Sequence, residues 1–352
     1  MRQRFFLVLS LLSLACSSPP SRGGAPASGG TGASPSGGGA GAVASTGGGG
    51  SGATGPGELP PDGVPLDGTG QSWGVYDFVV PTGFTSEEYA DGFVLSAPHG
   101  ASQGECSYAL LAPVTAEADL VAQALAIGNA FFASAGVELI PPSGYGSSAE
   151  LSWRGVTGQG LPFVELPAEL SSTQGPTGAA ARVLVIDLAG QVASVVAFQE
   201  KDNPCVGDAS TNALSWSEFF YGLSFPGKGG ASDAARAALL GKWFRTTGTA
   251  ATSAVFAANG RYGEEAAYTT YGDYSATEVL ETTTAYGGEG AFVVQGNRIG
   301  KLPDGKSGQS TFFRVAERPN SAAPGGVLPE LSQLKLGIDG KPFELVLVRD
   351  FE

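Results

Sequence analysis

Histidine is nearly missing from this sequence: 352 residues contain one, His99, beside three cysteines and one methionine. That scarcity leaves no recurrent Cys/His spacing able to hold a metal ion. It also removes Ser-His-Asp and Cys-His catalysis except through His99, which sits in the turn-like stretch SAPHGAS (96–102) and reads as exposed. Positive charge is scarce as well. Lys and Arg total 19 against 33 Asp and Glu, a formal charge of −14. No basic patch is available for nucleic acid, and an anionic membrane surface would repel the body of the protein. The apolar run near the N-terminus is too short to span a bilayer as a permanent helix. No metal or cofactor is expected.

The first fifteen residues, MRQRFFLVLSLLSLA, carry Arg2 and Arg4, then an apolar run, then small residues before Cys16. This is the pattern of a secretory signal. The segment LLSLAC (11–16) resembles the lipobox of bacterial lipoproteins, which implies that Cys16 is lipidated after cleavage of residues 1–15. The alternative is ordinary secretion, with Cys16 lost in the signal or left as a free thiol. If Cys16 carries the lipid, Cys106 and Cys205 remain, and two cysteines in an exported protein read as one disulfide. Closing a loop of about 100 residues removes roughly 4–5 kcal/mol of denatured-state freedom. Ser17 stands where an inner-membrane retention signal would have Asp, so resemblance to Gram-negative lipoproteins points to the outer membrane, with the leaflet and facing left open. Residues 16–70 form the expected linker. From 17 to 57 they are nearly all Gly, Ser, Ala, Pro and Thr, with Arg22 the only charge and Val43 the only large apolar side chain. Such a segment cannot bury enough surface to offset ordering, so it reads as a disordered tether with an r.m.s. span of about 35 Å.

Residues 71–226 read as a first domain. WGVYDFVVP (73–81) alternates and stops at Pro-Thr-Gly; DGFVLSAP and ECSYALLAP are further strand-like runs. A helix follows over EADLVAQALAIGNAFFASAG, with Leu120, Ala124, Ile127 and Phe131 on one stripe, Thr115 as N-cap and Gly136 as stop. Strands are expected at AELSWRGVTG, AARVLVIDLAG and QVASVVAFQE, and a second helix at NALSWSEFFYGL, with Ala213, Trp216, Phe220 and Leu223 on one face. This order implies an α+β sandwich: an antiparallel sheet covered by two helices. Together with the opening YDFVVPTGF it resembles the PsbP/Mog1-like fold, a resemblance that implies a binding or assembly module without a common active site.

After a linker at 227–237, residues 238–352 read as a second domain. DAARAALLG forms a short helix from Asp233 to Gly241, and strands then dominate. Asn259-Gly260, Asp304-Gly305 and Asp339-Gly340 are each flanked by strand-like runs and favour type I′ hairpins. A chain of hairpins makes an up-and-down meander, which a closed barrel frees of edges. LLGKWF, VFAANGRY, QGNRI and the closing LVLVRDF resemble a lipocalin-like (calycin) barrel. The resemblance implies that Gly241 and Trp243 open the barrel and that Arg349 packs across the indole, closing one end; plain core packing of Trp243 is the alternative. A guanidinium on an indole contributes about 0.5–2 kcal/mol.

GKLPDGKS (300–307) matches the phosphate-loop pattern G-x-x-x-x-G-K-[ST], yet Pro303-Asp304-Gly305 reads as a hairpin turn and QSTFFRVAE as a strand where the helix is required. Nucleotide binding is not expected, and Lys301 and Lys306 read as solvated residues. The acidic pairs Glu87-Glu88 and Glu264-Glu265 point to opposite strand faces and make no dyad. Tyr268, Tyr271 and Tyr274 could line a polar rim or pack along a strand edge. The leading expectation is a non-enzymatic, lipid-anchored envelope protein. Its barrel would bind a small apolar or amphipathic ligand, and its α+β domain a protein partner. An assembly factor with a filled barrel, or a carboxylate-dependent hydrolase, are the alternatives.

Overall fold

The computed structural model describes residues 59–61, 63, 65–97, 106–142, 146–199, 214–228, 233–247, 250–275, 278–336 and 342–350. In chain order the first half contains β1 (Gly68–Trp73), β2 (Tyr76–Pro81), β3 (Thr85–Tyr89), β4 (Gly92–Ala97), β5 (Cys106–Thr115), α1 (Leu120–Phe132), β6 (Val137–Ile140), β7 (Trp153–Val156), β8 (Pro162–Ser172), β9 (Gly175–Asp187), β10 (Gln191–Gln199) and α2 (Leu214–Gly222). The second half contains α3 (Asp233–Leu239), β11 (Gly241–Thr247), β12 (Ala250–Phe256), β13 (Arg261–Ser275), β14 (Glu278–Gln295), β15 (Arg298–Pro303), β16 (Gln309–Pro319), β17 (Val327–Leu336) and β18 (Pro342–Arg349).

The second half closes into the expected barrel. Each of β11 to β18 pairs antiparallel with its sequence neighbour, and β11 returns to pair with β18 through Trp243 opposite Arg349. Alternation decides which residues fill it. Trp243, Ala254, Phe256, Tyr262, Phe292, Ile299, Phe313, Val315, Leu331 and Leu347 form one buried cluster, to which α3 adds Ala235 and Leu239. The turns differ from expectation. Asn259 and Asp304 do not have positive φ; only Gly260 (+82°) and Gly305 (+71°) do. The first is a turn closed by its glycine after Gly260 N–H donates to Ala257 O, and the second has the type II sign pattern, with Lys306 N–H donating to Pro303 O. The I′ pattern of two positive φ values appears instead at Ala189 (+62°) and Gly190 (+106°), between β9 and β10, where the Asp187 carboxylate accepts from both turn amides. Asp339-Gly340 lies outside the described residues.

The first half is an antiparallel sheet in the order β3-β4-β5-β10-β9-β8, with β6 and β7 both pairing along β8. One face carries α1, whose Gly128 comes so close to the sheet that a Cβ there would lie 2.8 Å from Val183. The other face, with Leu184, Ile186, Val195 and Tyr108, packs on α2 through Trp216 and Phe219 and on the β1–β2 hairpin through Tyr76 and Phe78. Three expectations need correction here. The cap of α1 is Asp119, which accepts from the amides of Val121 and Ala122, and not Thr115, whose carbonyl is taken by Gln123. WGVYDFVVP is not one strand: Gly74, at φ +58°, turns the chain between β1 and β2, a separate two-stranded sheet. β8 was hidden by Pro162 and Pro167, which argue against a central strand, although it pairs on both edges.

The strands of the two halves join. β16 pairs with β15 and β17 in the barrel and also with β7, Val315 opposite Val156 and Glu317 opposite Arg154. Residues 54–352 accordingly cluster as one unit. Part of the segment read as tether belongs to it: Pro60 is buried, Gly63 N–H donates to Ser310 O, and Ser310 N–H donates to Pro61 O.

Candidate functional site

Two clusters of buried charge stand out, one between the halves and one inside the barrel. The first is built on β16, whose residues alternate between lumen and outer wall. Arg314 faces outward and is 4% exposed. It donates to Glu165 Oε2 on β8 at 2.8 Å and lies 3.7 Å from Glu344 on β18. Glu165 is fully buried and also accepts from Arg182 and, at 3.0 Å, from Trp216 Nε1. Glu344 accepts from Ser217 at 2.8 Å and Tyr221 at 2.9 Å, both on α2. The Trp153 ring lies 4.9 Å from the Arg314 guanidinium and 5.3 Å from that of Arg182. Burial pushes the Glu165 carboxyl up, but Arg314 and Arg182 outweigh it and hold it below the ordinary range. Burial lowers Arg314, yet Glu165 and Glu344 raise it further, so it stays charged. Two cations meet two anions, and every oxygen of Glu165 and Glu344 accepts a hydrogen bond.

The second cluster lies where the barrel's apolar core gives way to polar residues. Lys301 on β15, 7% exposed, donates to Glu264 on β13 and to Gln333 on β17 at 2.8 Å. Lys335, two residues along β17 from Gln333, reaches the same Glu264 Oε1 at 3.3 Å. One carboxylate therefore serves two ammonium groups. Burial, and next the charge of Lys335, push Lys301 down to about 7 against the opposing pull of Glu264. Burial raises Glu264, but Lys301 and Lys335 outweigh it and hold its carboxyl below the ordinary range. Tyr262, beside them, is pushed up to about 12 by burial and then by the charge of Glu264.

Among the recesses that open on this cluster, two share Tyr262, Glu264, Pro303 and Lys335. One, of about 410 Å³, is also lined by Lys301, Ser310 and Thr311. The other, of about 470 Å³, is also lined by Thr252, Ala266, Gly288 and Leu345. Gly288 lies directly across from Glu264 in the β13–β14 pairing, and a Cβ built there meets nothing within 4 Å. Missing side-chain volume at this position helps to keep the lumen open.

Several expected residues now have places. Trp243 is fully buried, donates Nε1–H to Leu239 O at 2.8 Å, and has the Arg349 guanidinium 4.6 Å from its ring. Arg349 also donates to the carbonyls of Ala238 and Leu240, fastening the end of α3 to the barrel. Cys106 is buried and its sulfur is bonded. Cys205, Cys16, His99 and Ala213 lie outside the described residues, as do the side chains of Tyr268, Tyr271 and Tyr274. GKLPDGKS forms the end of β15, the Asp304-Gly305 turn and the approach to β16, so the phosphate-loop pattern falls on a β-hairpin. Asp304 is ion-paired with Arg261. Lys301 was expected to be solvated and is instead inside the barrel, because β15 alternates and Ile299 and Lys301 share its inner face. Glu264 points inward and Glu265 outward, as adjacent strand residues must. Among the described residues no group of His, Cys, Asp and Glu could hold a metal ion, and no helix is long and apolar enough to cross a membrane.

Sequence reasoning passed over Glu165, Arg182, Arg314 and Glu344. The available signal was a charge inside an apolar strand: FVELP around Glu165 and TFFRVA around Arg314. A charge that cannot avoid burial needs a partner of opposite sign. No protein-family model matches the chain, and no curated protein matches it.

Proposed function

We propose that the protein is a non-enzymatic binding module of the bacterial envelope, held by lipid on Cys16, probing its surroundings through a barrel that takes a small amphipathic ligand. The observation that carries this reading is the recess of about 410 Å³ beside Lys301, Glu264 and Lys335. It falls in the size range of small-molecule sites, and it lies between an apolar barrel core and a polar mouth, the two surroundings that an amphipathic molecule needs. The lipid anchor, the outer-membrane location, the Cys106–Cys205 disulfide and the calycin and PsbP/Mog1 likenesses belong to the same proposal. A second reading, an assembly factor without a small ligand, draws on the other half of the lumen, which Trp243, Phe256, Phe292 and Phe313 fill with their own side chains.

The experiment is native mass spectrometry of the full chain extracted from its host envelope, wild type beside Gln309→Trp, a substitution at an exposed position that lines this recess. Bound mass that leaves on gentle activation, and is missing from the variant, supports the ligand-binding barrel. A bare polypeptide mass in repeated extracts contradicts it and favours the assembly reading.

A further inference from the structure

The charge count inside the barrel narrows the class of ligand. Lys301 and Lys335 share one carboxylate, so the cluster holds one positive charge more than it neutralises when both amines are protonated. The more buried amine, Lys301, carries the cost. Beside it Gln333, fully buried, leaves its Nε2 donor without a partner among the described residues. Excess positive charge from Lys301 and Lys335 borders a cavity whose inner neighbours are aromatic: Lys301 Nζ lies 5.8 Å from the Phe256 ring centre. We propose that the recess binds a monoanionic headgroup, a carboxylate on an apolar body, seated by Lys301 and Lys335, with uptake of a proton by Lys301. This rests on the ligand-binding reading above and specifies its chemistry.

The proton follows from charge balance. The titratable groups around Lys301 are Glu264 and Tyr262 on β13 and Lys335 on β17; its partners on β14 and β16, Phe292 and Gln309, carry none. Burial and the charge of Lys335 lower the proton affinity of Lys301 in the empty barrel; an arriving anion supplies negative charge beside it, raises that affinity and draws in a proton. Binding then weakens as pH rises above neutrality.

Calorimetric titration of the full chain with 2-naphthoate and its neutral isostere 2-naphthamide separates the possibilities. The expected result is roughly tenfold tighter binding of the acid at pH 6.5, about 1.4 kcal/mol, with proton uptake detected as a heat that changes with buffer ionisation enthalpy. The preference should fall toward one by pH 9, and in Lys301→Met or Lys335→Met at either pH. Lys301→Arg should keep the preference and lose the proton uptake, a result that a merely structural lysine would not give. Equal binding of acid and amide overturns the anion inference and leaves the binding barrel standing; binding of neither overturns both.

Discussion

The two buried charge clusters use similar residues and do opposite things. Between the halves, Arg314 and Arg182 face Glu165 and Glu344, charges balance, and Trp216, Ser217 and Tyr221 satisfy the remaining oxygens. Inside the barrel, Glu264 faces two lysines, one donor of Gln333 is left over, and a cavity adjoins. A buried ion pair adds little net stability when complete, but breaking one is costly because it strands a charge. The saturated cluster is therefore a joint, and the unbalanced one has capacity left for something from outside.

This contrast can be broken most forcefully at Arg314. Arg314→Met takes the cation away from buried Glu344, leaves Glu165 to Arg182 alone, and should cost about 3–5 kcal/mol in urea unfolding; a loss under about 1 kcal/mol would mean that the joint is not held by charge. Gly158→Ala tests the same joint sterically, since a Cβ there would lie 1.9 Å from Asn297 Cα in the turn between β14 and β15. Forced overpacking of this kind should cost about 1–3 kcal/mol, read as a lower melting temperature.

The lumen should reveal itself through pH. Lys301 has a lowered proton affinity in the folded state, so between about 7 and the ordinary lysine value the unfolded chain binds more protons. Stability then rises with pH across that window, by at most about 1.4 kcal/mol per unit. Above pH 10 the trend reverses, because Tyr262 holds its proton in the fold to about 12 and releases it earlier when unfolded. Unfolding curves from pH 7 to 9.5 should show the rise in wild type and a flatter profile in Lys301→Met. A smaller loss than at Arg314 is expected at the barrel's closed end: Arg349→Met removes the contact with Trp243 and two carbonyl bonds, for about 1–2 kcal/mol.

Legibility in the sequence followed the same division. Hairpin dipeptides, alternation and Gly241-Lys242-Trp243 made the barrel readable, since each is a local consequence of strand geometry. β9 and β10 were equally plain, being continuous β-branched runs around Ala189-Gly190. β8 was not, because Pro162 and Pro167 are compatible with a strand only where their missing amides fall at permitted positions, which local sequence does not show. The site was less legible than the fold. Lys301 sits in a segment rich in Gly, Pro and Asp, and only the register with Ile299 reveals that it faces inward. The pairing of Glu165 with Arg314 spans 149 residues and depends on β7 meeting β16, a contact between the two expected domains that neither half predicts alone.

The most direct test sets Lys301→Met beside Arg314→Met in equilibrium unfolding at pH 7. Removing Lys301 leaves Glu264 paired with Lys335 and relieves a crowded positive charge, so its stability should change by less than about 1 kcal/mol or increase, against the loss of about 3–5 kcal/mol at Arg314. Comparable losses in both variants would contradict the division between a saturated joint and an unbalanced cluster in the lumen.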